Sequence, residues 1–284
     1  MSEWFDETLH SGYRQRLEID RVLFRDRSEH QDVIIFENSR FGRVLALDGV
    51  VQTTQADEFI YHEMLAHPPI LAHGAAREVL IVGGGDGGAL REVLRHDSVA
   101  RATMVEIDRS VVDFCREYFP GHSAGAFNDP RTELIIADGL QYAAETERRF
   151  DVVIVDSTDP IGPGEVLFTE AFYRDCLRCL NPGGILITQS GVPFVQGKEV
   201  TDGHKRLSDA GFADVWFYLI GVPTYNGGPM ALGWASDDPA KRRVDAATLV
   251  ARFHAVGLQT RYYDPTVHQA AFALPPYIRG LFDG

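Results

Sequence analysis

"EVLIVGGGDGGALREVLRH", residues 78–96, decides the fold. Val79 to Val82 form the short apolar run of a strand buried on both faces. Gly83-Gly84-Gly85-Asp86-Gly87-Gly88 follows as a tight turn, and the residues after it read as a helix. The same order of strand, turn and helix recurs downstream. "ATMVEI" (102–107) precedes "DRSVVDFCREYF" (108–119), "TELIIA" (132–137) precedes "DGLQYAAETE" (138–147), and "DVVIV" (151–155) precedes "DSTDPIGPGEVLF" (156–168). Such alternation argues a mostly parallel sheet with helices on both faces, an α/β Rossmann-like fold. "NPGGILITQSG" (181–191) adds a fifth strand, and "DVWFYLIGV" (214–222) with "MALGWAS" (230–236) predicts an antiparallel C-terminal strand pair. "DPAKRRVDAATLVARFHAVG" (238–257) predicts a late helix.

Upstream the rhythm differs. "DVIIFEN" (32–38) and "GRVLALDGVVQTT" (42–54) are short apolar runs with turn signals at Asn38-Ser39 and Asp48-Gly49, as in antiparallel hairpins. "ADEFIYHEMLAH" (56–67) predicts a helix that stops at Pro68-Pro69, because proline disfavours helical geometry in the residue before it. The expected division is a small N-terminal β-hairpin domain over 1–55 and a Rossmann-like catalytic domain over 56–284.

Composition narrows the functions. The 284 residues are 45% hydrophobic, enough for a well-filled core, and no apolar run approaches membrane-spanning length. "MSEWFDETLH" lacks the basic start and apolar run of a signal peptide, so a cytoplasmic location is expected. A net charge of -14 without a Lys/Arg stripe disfavours nucleic acid and suits a cationic small molecule. Cys115, Cys176 and Cys179 read as core thiols, since "CLRC" supplies only half a zinc site. His62 and His67 lie five residues apart rather than the four of a helical metal pair, so no metal site is expected there.

In open α/β sheets ligands bind beyond the carboxyl ends of the strands. Gly83, Gly85 and Gly88 formally match G-x-G-x-x-G after the first strand. Glu106 ends the second strand, where a carboxylate can accept both hydroxyls of a ribose. Asp138-Gly139 ends the third, where a carboxylate can accept from an adenine amino group. Asp86 places a negative charge inside the loop that would cradle a pyrophosphate, which counts against a dinucleotide. The P-loop pattern is absent. An adenosyl sulfonium, itself a cation, suits this acidic rim, and Asp86 favours a decarboxylated aminopropyl arm over one that carries a carboxylate.

With "ETLH", "HQDVIIFEN", "DEFIYHEML", "IVGGGDGG", "VEID", "ADGL", "DSTDPIGPGEVLF", "VPTYNGG" and "HQAAFALP" in one chain, the sequence resembles the polyamine aminopropyltransferases, the family of bacterial spermidine synthases. The resemblance implies a class I methyltransferase-like Rossmann fold preceded by a small antiparallel β domain, assembled as a homodimer or homotetramer. It implies that Gln31, Glu106, Asp138, Gly139 and Pro163 contact the nucleoside, with Gly83 and Gly85 shaping the loop beneath it. Asp86 and Gln52 would face the aminopropyl arm. Tyr61, His62, Asp156, Asp159 and Tyr225 would line a diamine channel, with backbone contacts from Ser157 and Thr158. Asp156 matches the family's proton acceptor.

The implied reaction moves the aminopropyl group of decarboxylated S-adenosylmethionine, a co-substrate, to putrescine, giving spermidine and methylthioadenosine. An SN2 attack on a carbon already activated by sulfonium requires neither metal nor covalent intermediate. The obstacle is the nucleophile: freeing an amine of pKa about 10.4 at pH 7 costs roughly 4.6 kcal/mol. Two other functions are alternatives, an S-adenosylmethionine-dependent methyltransferase, which shares the nucleoside site, and a noncatalytic polyamine-binding protein. The sequence does not rank putrescine against cadaverine, diaminopropane or spermidine. Glu165, the third acid of "DSTDPIGPGE", reads as a solvated or capping charge.

Overall fold

The computed structural model describes residues 3–28, 30–158 and 166–282. Its N-terminal part is antiparallel. Strands β1 (Glu3–Asp6) and β2 (Arg16–Ile19) pair with each other, and β3 (Arg21–Arg27), β4 (Asp32–Asn38), β5 (Gly42–Leu47) and β6 (Val50–Thr54) form a four-stranded meander. Asp48 and Gly49 both have positive φ, 47° and 80°, which gives β5 and β6 the two-residue turn whose twist matches a hairpin. β1, β2 and β3 lie outside the runs singled out above. They are short or charged, and β3 carries Arg21, Arg25, Asp26 and Arg27, as suits an exposed edge.

Helix α1 (Glu58–His73) corrects one expectation, for it passes through Pro68 and Pro69 instead of stopping there. A proline in a helix forfeits a bond to the carbonyl four residues back. Here the Tyr218 hydroxyl donates to the Met64 carbonyl at 2.7 Å, replacing the donor that Pro68 lacks. Residues Ile60 to Ala72 are all buried, so packing outweighs local propensity, and Gly74, with φ 79°, ends the helix.

Beyond α1 the chain alternates as expected. The order is β7 (Glu78–Gly83), α2 (Gly88–Leu94), β8 (Arg101–Glu106), α3 (Arg109–Tyr118), α4 (Pro120–Ser123), β9 (Thr132–Ile136), α5 (Gly139–Glu145), β10 (Phe150–Asp156), α6 (Glu170–Cys179) and β11 (Leu180–Gln189). Then follow α7 (Gly197–Asp209), β12 (Asp214–Ile220), β13 (Met230–Ser236), α8 (Ala246–Val256), α9 (Pro265–Ala271) and α10 (Pro276–Arg279). The seven-stranded sheet has the order β12-β13-β11-β10-β7-β8-β9. β13 is antiparallel to β11 and β12, and the remaining pairs are parallel.

The late helix starts later than expected. Asp245 caps α8 by accepting from the Thr248 N–H, and Lys241–Arg243 form a separate 3-10 turn. The third parallel strand ends at Ile136, and Asp138 caps α5 through the Leu140 N–H. Cys115 on α3 and Cys176 and Cys179 on α6 are buried free thiols. One core packs α1 and α2 against one face of the large sheet, and a second packs α5 and α6 against the other.

The strand order reverses between β7 and β10, so their carboxyl ends form the topological switch point where such sheets hold ligands. Gly83 and Asp156 stand there, paired in register.

Candidate active site

A cavity of about 180 Å³ opens at this switch point. β7, β8 and β10 supply its floor, β5 and β6 one wall, and the Thr224–Asn226 segment another. Gln31, Gln52, Tyr61, His62, Gly83, Gly85, Asp86, Glu106, Asp156, Ser157, Thr158 and Tyr225 all line it. Asp138 and Gly139 are not among its described lining residues. Gly139 packs on Val82, whose Cγ1 would lie 2.4 Å from an added Cβ. Asp159, Pro163 and Glu165 lie outside the described residues.

The glycine loop is shaped by what it touches. Gly83 has φ 85°, and a Cβ there would sit 2.2 Å from the Asp156 carbonyl oxygen. The Gly84 N–H donates to that same carbonyl at 2.9 Å, so the loop and the end of β10 hold each other. A Cβ on Gly85 would lie 3.1 Å from Glu106 Oε2, which places the carboxylate under the loop. Glu106 accepts from the Asp108 N–H at 2.9 Å. Burial nevertheless pushes its carboxyl up to about 7.

Two carboxylates face the other end of the cavity. Asp86 accepts from the Gly88 N–H at 2.8 Å, and its Oδ2 lies 3.3 Å from His62 Nε2. Although burial opposes the charge, the His62 cation holds Asp86 well below the usual carboxylate range. For Asp156 burial prevails and pushes the carboxyl up to about 6, aided by the charge on Asp86 and opposed by that on His62. The Tyr61 hydroxyl donates to Asp156 Oδ1 at 2.9 Å, and burial keeps that phenol protonated. Tyr225 donates to the Gln52 carbonyl at 2.7 Å and meets Tyr61 edge to face at 5.7 Å. Two acids of one type thus differ in readiness to take a proton, and two aromatic rings wall the space beside them. Ser157 Oγ is buried without a partner among the described residues.

Sequence reasoning missed several supports. Asp57 accepts from the Thr54 hydroxyl at 2.6 Å and from the Thr224 N–H and hydroxyl at 3.0 and 2.8 Å, tying β6 and α1 to the segment that carries Tyr225. Asp108 caps α3 and accepts from Ser28 at 2.6 Å and Gln31 at 3.4 Å, linking the N-terminal sheet to the Glu106 end of the cavity. Its place as an acid just before "RSVVDF" was the available signal. Glu7, buried in the cavity wall, accepts from the Val51 N–H at 3.0 Å. Glu58 and Arg91 lie behind His62.

His62, Asp86 and Asp156 each offer a ligand atom within 4.8 Å of the others, a spacing that a cation could bridge. Both nitrogens of His62 already face carboxylates, however, which suits a protonated ring rather than a metal ligand.

Residues 58–245 match the model of the spermine/spermidine synthase domain, and residues 3–55 that of the spermidine synthase tetramerisation domain. The chain belongs to the spermine/spermidine synthase family. Similar curated proteins include polyamine aminopropyltransferase 1 of Pseudomonas aeruginosa, 61% identical over 274 residues and covering 96% of each chain. The polyamine aminopropyltransferase of Salmonella arizonae is 58% identical, covering 96% of this chain and 95% of its own. Among solved structures, a spermidine synthase in complex with the transition state analogue AdoDATO has a TM-score of 0.94 at 38% identity, covering 99% of this chain and 95% of its own. Spermidine synthase from Thermotoga maritima has a TM-score of 0.90 at 36% identity, covering 99% and 94%. The family's Rossmann-like fold with an N-terminal β unit is the fold found here, and the chain is a transferase, a polyamine aminopropyltransferase.

Proposed function

We propose that the chain transfers the aminopropyl group of decarboxylated S-adenosylmethionine to putrescine in one SN2 step, with Asp156 accepting the proton. The single observation that carries this reading is the placement of two carboxylates at the switch point beside Tyr225, Asp86 3.3 Å from His62 and Asp156 2.9 Å from the Tyr61 hydroxyl. A carboxyl raised to about 6 is a better match to an ammonium than an ordinary aspartate, so proton transfer as the nitrogen loses electron density becomes less uphill. Positioning of the diamine supplies the remainder, an effect on the order of several kcal/mol in effective-molarity terms.

In this reading Gln31, Glu106, Asp138, Gly139 and Pro163 hold the nucleoside, while Gly83 and Gly85 shape the loop. Asp86 and Gln52 face the aminopropyl arm. Tyr61, His62, Asp159 and Tyr225 line the diamine channel with Asp156, and Ser157 and Thr158 add contacts. The segments 1–55 and 56–284 act as assembly and catalytic units, and the assembly is a homodimer or homotetramer. The N-terminal match to a tetramerisation domain supports this arrangement. A cytoplasmic location accords with the lack, among the described residues, of any helix long and apolar enough to cross a membrane.

The test offers decarboxylated or intact S-adenosylmethionine with putrescine, cadaverine, diaminopropane and spermidine, and reads products by mass spectrometry. Spermidine from putrescine and the decarboxylated donor is expected. A methylated product from the intact donor would replace the reading with a methyltransferase, and binding without product with a polyamine-binding protein.

A further inference from the structure

We propose that Glu58 and Arg91, which do not line the cavity, are positioning residues that hold the His62 ring as a permanent cation beside Asp86. His62 Nδ1 lies 2.6 Å from Glu58 Oε2, and Nε2 lies 3.3 Å from Asp86 Oδ2. An ionised carboxylate carries no proton of its own, so a ring that faces one at each nitrogen is favoured with both nitrogens protonated.

Glu58 is itself fixed. Arg91 spans it with Nη2 to Oε2 at 2.9 Å and Nη1 to Oε1 at 3.2 Å, the paired geometry that a guanidinium makes with a carboxylate. Arg91 is anchored in turn by Glu92 at 2.7 Å and by the carbonyls of Gly121 and His122 at 3.0 and 2.7 Å. The ring is closely packed. It is 2% exposed, and an added Cβ on Gly88 would lie 2.2 Å from its Cε1 and Nδ1.

The charged and titratable groups around His62 agree with a cation. From α1 come Glu58 and Tyr61; from the glycine loop, Asp86; from α2, Arg91 by way of Glu58; from β10, Asp156. His122, from α4, meets the ring edge to face at 6.1 Å; burial favours its neutral form, and it bonds Thr53 at 2.9 Å. Burial opposes a charge on His62, but Asp86 and Glu58 raise its pKa well above the ordinary histidine value.

The catalytic consequence rests on the aminopropyl-transfer reading. Asp86 and Asp156 together would hold an incoming ammonium firmly in its unreactive, protonated form. A fixed positive charge beside them offsets Asp86, so the ammonium is held less firmly, and it keeps Asp156 ionised and able to accept the proton.

The test begins without substrate, on the full chain labelled with 15N-histidine, with the His62 signal assigned by its loss in His62→Gln. Both ring nitrogens are expected to stay protonated well past the ordinary titration of histidine. Glu58→Gln keeps the shape and removes the charge. It is expected to bring ring titration into the range of about pH 6–8 and to add an ionisation to the pH profile of kcat there, with kcat about tenfold lower above it. Glu58→Asp should move both readouts back towards the unaltered protein.

A neutral His62 ring at pH 7 in the unaltered protein overturns the proposal. So does a folded Glu58→Gln protein with an unchanged pH profile, since a merely structural Glu58 would add no ionisation. Because the spectra need no substrate, failure of the charge state and failure of aminopropyl transfer are read separately.

Discussion

Asp86 and Asp156 are the same side chain placed in two environments, one against a cation and the other against a phenol and low-polarity walls. Asp156→Asn is therefore expected to retain methylthioadenosine binding while kcat falls by about 10²- to 10⁴-fold. Calorimetry and steady-state rates check this pair of outcomes, and unchanged turnover would remove Asp156 from the role of base. The sign of the pH effect follows from the same residue. Asp156 accepts a proton only when ionised, so kcat/KM should fall as pH drops through about 6. An acid limb near the ordinary aspartate range would contradict the burial argument. Glu106 and Asp86 were legible because one ends a strand and the other lies in the loop after one, where the fold class says ligands gather, whereas Asp156 was named through the family resemblance. Glu58 and Arg91 were not, because their pairing joins positions 33 apart and only the packing of α1 on α2 brings them together.

Among the elements, α1 shows where local rules lose to packing. Pro68 reads as a stop, yet the Tyr218 hydroxyl on β12 serves the carbonyl left open at Met64. Tyr218→Phe keeps the ring and strands that buried carbonyl, a change expected to cost about 1–3 kcal/mol by urea unfolding. A variant as stable as the parent would show that the hydroxyl is not needed. Gly83→Ala should be more damaging to activity, since it combines φ 85° with a Cβ 2.2 Å from the Asp156 carbonyl oxygen. The expected result is a folded protein with kcat at least about tenfold lower, because small displacements of a positioned group are costly. The turn at Asp48-Gly49 was legible as two residues that tolerate positive φ. The late helix was legible but not its start, since Lys241–Arg243 form a separate 3-10 turn and Asp245 caps α8.

At the scale of the molecule, the alternation of apolar runs revealed the parallel sheet, but not how the N-terminal strands join it. β4 and β5 are buried on both faces: Phe36, Val44 and Ala46 pack with Phe5 and Leu17, while Val33, Ile35, Leu45 and Leu47 pack on Val111, Cys115 and Phe119. A run of adjacent apolar residues announces two-sided burial without naming either partner. The net charge of -14 supplies another expectation. Attraction of a dication from solution is screened by salt, so KM for the diamine should rise with ionic strength while kcat changes little. A salt-independent KM would place recognition wholly within the cavity. Sedimentation of the full chain is expected to show a dimer or tetramer, and a monomer at assay concentration would contradict the assembly proposed for residues 1–55.

Direct displacement at the switch point is tested most directly with putrescine and decarboxylated S-adenosylmethionine made chiral by deuterium at the carbon that bears sulfur. Spermidine and methylthioadenosine are expected in equal amounts, with the labelled carbon inverted. Retention of configuration, or the absence of spermidine, would contradict it.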